Sequence, residues 1–213
     1  MKRLIATLSL LALLPGCQSA YYAAAEKVGY EKREIMVDRV ENARDAQEDA
    51  EEQFLSAQEQ LLSLIDFDGG ELEDVYNDLA DEYEDAEDAA EEVTQRIDAI
   101  EDVADALFDE WSGELEEYSN QRLRADSERK LKETRRRYDE LLKVMRRSES
   151  RMEPVLAALK DNVLYLKHNL NAQAVAALKT EFGQIDRDIE VLIAEMRKSI
   201  DSSNEFIESL REG

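Results

Sequence analysis

One cysteine, one histidine and 51 carboxylates are what this chain offers to chemistry. Cys17 closes the run Leu14-Pro15-Gly16-Cys17, behind Lys2-Arg3 and an apolar stretch at residues 4–14. Positive residues, a short apolar core and compact residues before a cysteine form the layout of a lipoprotein signal peptide, in which the thiol accepts an acyl chain. The apolar stretch has eleven residues, well short of the roughly 20 that span a bilayer. Residues 1–16 are therefore expected to be a signal peptide, cleaved before an acylated Cys17. Gln18 is not the aspartate that commonly retains bacterial lipoproteins at the inner membrane, so the expected address is the outer membrane, facing the periplasm.

The other reactive residue types lead nowhere comparable. His168 stands alone, which excludes a di-iron bundle with its paired Glu-x-x-His motifs. Its expected place is a helix C-terminus, where a cationic ring suits the dipole. Asp66-Phe67-Asp68-Gly69 has the flavour of a calcium loop, yet with Asp66 first, Glu71 falls at position six and Asn77 at position twelve. A calcium loop needs glycine and glutamate there. The pairs Asp81-Glu82, Glu84-Asp85 and Glu87-Asp88 suit a solvated helix face, with weak divalent binding as the alternative. No phosphate-cradling Gly-x-x-x-x-Gly-Lys loop occurs. The sequence thus assigns no catalytic residue, no metal ligand and no cofactor, and the expected class is not an enzyme.

These residues need elements to carry them, and composition limits which. Cleavage removes Lys2 and Arg3, leaving 25 bases, 51 acids and a net charge of −26 over residues 17–213. Such a charge argues against nucleic acid, whose phosphates need a basic footprint. It also disfavours docking of the polypeptide on anionic lipid. With its one cysteine acylated the chain has no disulfide available, so packing must stabilise a single domain.

The packing signal is a heptad. Leu72, Tyr76, Leu79, Tyr83, Ala86, Ala90, Val93, Ile97, Ile100, Ala104, Leu107 and Trp111 recur in alternating steps of four and three. That period winds helices into a coiled coil. Met36, Val40, Ala43, Gln47, Ala50, Phe54, Ala57, Leu61 and Leu64 form a second seam with one polar member. Val175, Leu178, Phe182, Ile185, Ile189, Leu192, Met196, Ser199, Ser203, Phe206 and Leu210 form another, with two serines. Between them, Leu131, Thr134, Tyr138, Leu141, Met145, Ser148 and Met152 lead to Leu156, Leu159, Val163, Leu166 and Leu170. The join from Met152 to Leu156 reads as a stutter around Pro154, where a kink or a hinge is expected.

Asp66-Phe67-Asp68-Gly69-Gly70 supplies a first turn and Asn169-Leu170-Asn171 a third, with Asn171 as N-cap. Ser119-Asn120 and Ser112-Gly113 compete for the second. Helices are expected near 21–65, 71–118, 121–168 and 172–210. The fold class is all-α, an elongated antiparallel four-helix bundle of coiled-coil type. Residues 71–117 hold 21 acids and only Arg96 as a base, whereas residues 118–151 hold 12 bases and 6 acids. Folding back at Asn120 should set the basic run, with Arg135, Arg136, Arg137, Arg146 and Arg147, against the acidic helix.

The segments Tyr21-Tyr22-Ala23-Ala24-Ala25-Glu26-Lys27-Val28-Gly29 and Lys32-Arg33-Glu34-Ile35-Met36-Val37-Asp38-Arg39-Val40 resemble the opening of a bacterial family catalogued as a domain of unknown function. Phe108-Asp109-Glu110-Trp111, Glu133-Thr134-Arg135-Arg136-Arg137-Tyr138 and Leu166-Lys167-His168-Asn169-Leu170-Asn171 resemble it too. The resemblance covers essentially all of the chain after Cys17. It implies an all-helical Gram-negative envelope protein and brings no site residue with it. The expected partners are a membrane, through acylated Cys17, and another envelope protein bound by a helical scaffold or adaptor. The alternative is an acidic bundle that binds divalent cations or another small ligand.

Overall fold

The structure is a computed structural model that describes residues 32–66 and 72–212, the side chain of Ala172 excepted. Four helices follow one another: α1 (Lys32–Ile65), α2 (Leu72–Glu117), α3 (Gln121–His168) and α4 (Ala172–Glu212). Cys17, the expected signal peptide, the helical start at residue 21, Phe67 to Gly70 of the first turn and Glu71 lie outside the described residues. The remaining helix bounds agree with expectation to within two residues. At 1.5 Å per residue, α2 and α3 are each about 70 Å long.

The helices close into a ring, with α1 against α2 and α4, and α3 against the same two. Lys32 meets Glu110 at one end of the α1–α2 pair (2.9 Å), and Gln60 donates to Asp78 at the other (3.4 Å). The pair is therefore antiparallel, as short turns require. The second turn falls at residues 118–120, where Asn120 Oδ1 accepts from the backbone N–H groups of Arg122 (3.0 Å) and Leu123 (3.3 Å). Asn171 caps α4 in the same way, accepting from Gln173 and Ala174. Ser112 and Gly113 lie inside α2, the Ser112 hydroxyl donating to the Phe108 carbonyl. These caps satisfy N–H groups that a helix cannot satisfy itself.

All nine expected seam positions of α1 are buried, and so are ten of the eleven in α4, Phe182 being half-buried. In α3 the expected stutter does not occur. Beyond Met152 the buried positions are Val155, Leu159, Asn162 and Leu166, which continue the alternating three–four step without a break. Leu156 and Val163 pack beside the core, and Leu170 is exposed. A polar residue holds the seam at Asn162 because its amide donates to the Ala158 carbonyl one turn back (2.6 Å). The helix runs through Pro154 without interruption.

The polar members of two seams meet in mid-bundle. Arg44 donates to Asn204 (3.2 Å) and Arg197 to Glu51 (2.7 Å), which sets Gln47 on α1 at the level of Ser199 and Ser203 on α4. All three side chains are fully buried. Ser203 donates to the Ser199 carbonyl, but the Gln47 amide and the Ser199 hydroxyl have no partner among the described residues. A buried polar group without a partner costs about 1–3 kcal/mol. Gln47→Leu should raise the unfolding free energy by a similar amount in urea melts, and a loss of that size would show that the amide is bonded in solution.

The expected cross-pairing of charges holds only in part. Arg146 reaches Asp98 and Glu101 on α2 and Glu149 on its own helix. Burial works against its charge, but the hydrogen bonds to Asp98, Glu149 and Glu101 outweigh it and raise its pKa above the ordinary value. Arg147 instead pairs with Glu195 on α4 (2.8 Å). Arg136 pairs with Glu140 and Arg137 with Glu133, both within α3. Arg135 lies over the Phe108 ring, 4.9 Å from its centroid. Neighbours four apart on one helix meet without any tertiary adjustment, so they capture Arg136 and Arg137 within α3.

Tyr138 packs edge-on to Phe108, centroids 5.5 Å apart. Burial first, then the charges of Glu101, Asp105 and Asp139, push its phenol up. The folded state thus holds the proton to higher pH than the unfolded chain, which ionises near pH 10. Stability from this group is intact below about pH 10 and is lost as pH rises through the folded value. Tyr138→Phe should flatten the drop in urea-melt stability between about pH 9 and pH 11. An unchanged drop would place the alkaline sensitivity elsewhere.

Candidate functional site

A groove of about 520 Å³ runs between α2 and α3. Tyr83, Glu87, Ala90, Glu91 and Thr94 of α2 form one wall, and the α3 wall is built from residues on both sides of Pro154. The groove opens where side chains on the two walls are short: Ala90 faces α3, and Ala157 stands exposed on the opposite rim. Leu156, half-buried, supplies larger apolar surface, while Met152 is buried in the core. Proline has no N–H to give the carbonyl four residues back, which is that of Ser150, also on the groove wall.

One end of the groove is closed by a polar cluster. The Tyr83 hydroxyl hydrogen-bonds to Glu87, and Lys160 approaches Glu87 at 3.6 Å while lying 5.7 Å from the Tyr83 ring centroid. Burial, then the hydrogen bond to Glu87, push the Tyr83 phenol up, with Lys160 pulling the other way. Tyr83, then Glu87, hold the Lys160 ammonium above its ordinary value. The cluster therefore keeps a neutral phenol beside an ion pair at neutral pH.

The groove's charge is negative. Glu87, Glu91, Glu149 and Glu153 line it against Lys160. Glu149 is taken up by Arg146 and Glu91 accepts from Gln95. Glu153 makes no ion pair among the described residues. Residues 72–92 of α2, Glu87 and Glu91 among them, carry 11 acids and no base.

The residues singled out from sequence are not brought together here. His168 is exposed in the last turn of α3 beside Lys167. Asp81, Glu84, Asp85, Glu87 and Asp88 are exposed along α2, and Glu82 is half-buried. No group of three or more His, Cys, Asp or Glu side chains converges as a metal site among the described residues. Of the groove residues the sequence marked Tyr83, Ala90, Met152 and Leu156 only as seam positions and Glu87 only as part of an acidic run. Lys160 carried no signal. Finding it requires the level of α3 against α2, which no spacing within one helix reveals.

Among the described residues no helix is long and apolar enough to cross a membrane. No curated protein and no solved structure matches the chain. One family does: the match runs over residues 21–210 and takes in all four helices almost to their ends. The chain belongs to the family described as "Protein of unknown function (DUF2959)".

Proposed function

We propose that this protein is a lipid-anchored periplasmic scaffold, not an enzyme, whose helical rod presents a binding surface to another envelope protein. The observation that carries the reading is where the chain enters the bundle. Lys32 sits beside Glu110, and Arg33 lies over the Trp111 ring, so α1 begins at the end that holds the α2–α3 turn. An acyl anchor at Cys17 tethers that end toward the bilayer. From Glu110, the groove lies between 16 residues (Thr94) and 27 residues (Tyr83) along α2, or about 24–40 Å. The groove then stands clear of the lipid, facing whatever shares the compartment.

In vivo photo-crosslinking scanned along the exposed faces of all four helices tests this. Reproducible capture of one envelope protein is the expected result. Silence at every position, in cells grown where the protein is needed, overturns the adaptor reading. A second reading, divalent cation binding, is favoured by the exposed acids of α2 that lack a basic neighbour. Calorimetry with calcium and magnesium separates the two. Saturable micromolar binding that raises the melting temperature supports the cation reading, and a weak response abolished by salt opposes it.

A further inference from the structure

The groove also specifies what kind of partner it takes. We infer that the α2–α3 groove over Pro154 is the docking site for a basic amphipathic helix of the partner protein, an inference that rests on the adaptor reading above.

Three features point to that occupant. First, shape: the α2 wall spans the twelve residues from Tyr83 to Thr94, a rise of about 16 Å, which matches three turns of a helix. A helix laid in a groove anchors itself through apolar residues three and four apart. Leu156, half-buried, and Ala157, exposed, offer the surface for such anchors, and the small alanine lets another backbone come close. Second, charge: the lining carries four carboxylates against one ammonium, and the adjoining stretch of α2 adds a wholly acidic flank. Complementary potential of this kind steers a cationic partner and rejects an anionic one. Third, Glu153 stands on the rim without an ion-pair partner among the described residues, and proline leaves the Ser150 carbonyl without its usual helical donor. Both are acceptors, so the groove asks for donors, which lysine and arginine supply.

The same groove disfavours other occupants. An acidic peptide or an anionic lipid surface meets like charge on both walls. A bare divalent ion gains little, since Glu87 and Glu149 are already engaged by Lys160 and Arg146.

The test uses the full-length protein in cells. A photoreactive p-benzoylphenylalanine is placed at Glu153 or at Ala157, with Glu59 and Asp201 as exposed control positions outside the groove. Crosslinked peptides are then identified by mass spectrometry. Both groove positions should capture the same segment of one protein, with lysines or arginines on one helical face and apolar residues at three–four spacing on the other. Adding Glu91→Lys and Glu87→Lys should lower the yield at Ala157 about tenfold, since a tenfold loss corresponds to about 1.4 kcal/mol. Lys160 loses its partner in that variant, so Glu91→Lys alone serves as the milder comparison and should lower the yield in the same direction. Four results overturn the proposal: an acidic or neutral segment, a segment of this chain from a second copy, equal yield at the control positions, or no capture at the groove. Capture at the controls alone rejects the groove and leaves the adaptor reading standing, whereas silence at these positions and throughout the scan of all four helices sinks both.

Discussion

Ile100→Ala should remove about 2–5 kcal/mol from the unfolding free energy, the usual range for emptying a fully buried aliphatic site. Ile97→Ala should do the same. Both side chains are completely buried and lie near the middle of α2, where neither end of the bundle can fray to absorb the loss. Arg136→Ala offers the contrast. Its guanidinium pairs with Glu140 on the same helix at 2.7 Å, and both side chains are more than half exposed. Exposed pairs contribute under about 1 kcal/mol, less in salt. Urea melts of the three variants in matched salt decide the ranking. If Arg136→Ala proved the most damaging, the heptad seam would not be what holds this bundle.

The seams were legible because a period of three and four, repeated over many turns, has few causes other than one buried face. Two departures show where that legibility stops. At α3, the apolar pattern skips Val155 for Leu156 and passes over Asn162, because a reading by hydrophobicity counts Asn162 as surface. The structure keeps it buried by giving its amide the Ala158 carbonyl within its own helix. Pro154 made the apparent stutter more persuasive than it was: proline removes one hydrogen bond but does not reset which residues face inward. The charge runs misled for a different reason. Arg137 and Glu133, and Arg136 and Glu140, were already four apart, and such pairs form whatever the neighbouring helix offers. Arg146, with Asp98 and Glu101 across from it and Glu149 beside it, does bridge as the opposed helix charges suggested.

The groove was not legible at all, although each residue in it was visible. Ala90 reads as an ordinary seam member and Ala157 as nothing in particular. A concavity arises only when short side chains on two helices fall at one level, and that level is set by the turn at residues 118–120 together with the packing of both helices. The same holds for Gln47, Ser199 and Ser203. Each looked like a blemish in its own seam, and only the pairs Arg44–Asn204 and Glu51–Arg197 bring them to one layer. Polar breaks in separate seams are thus better compared by interhelical level than judged singly.

The remaining large effect concerns attachment. On the proposed reading, Cys17→Ala should abolish labelling by a palmitate analogue and move the protein from the membrane fraction to the soluble one. The physical case is one of missing alternatives. No helix among the described residues can span a bilayer. After cleavage before Cys17 the polypeptide carries a net charge of −26, and anionic head groups repel it. Acyl chains contribute about 0.8 kcal/mol per buried CH₂, and stable anchoring takes two attachments where one chain gives only reversible binding. Removing the acceptor thiol therefore leaves nothing of comparable strength. Fractionation and labelling separate the outcomes. Lost label with retained membrane association would mean that a protein partner, not lipid, holds the bundle in place. A Cys17→Ala protein that is still labelled would mean that another residue takes the acyl chain, and the reading of residues 1–17 as a lipoprotein signal would fall.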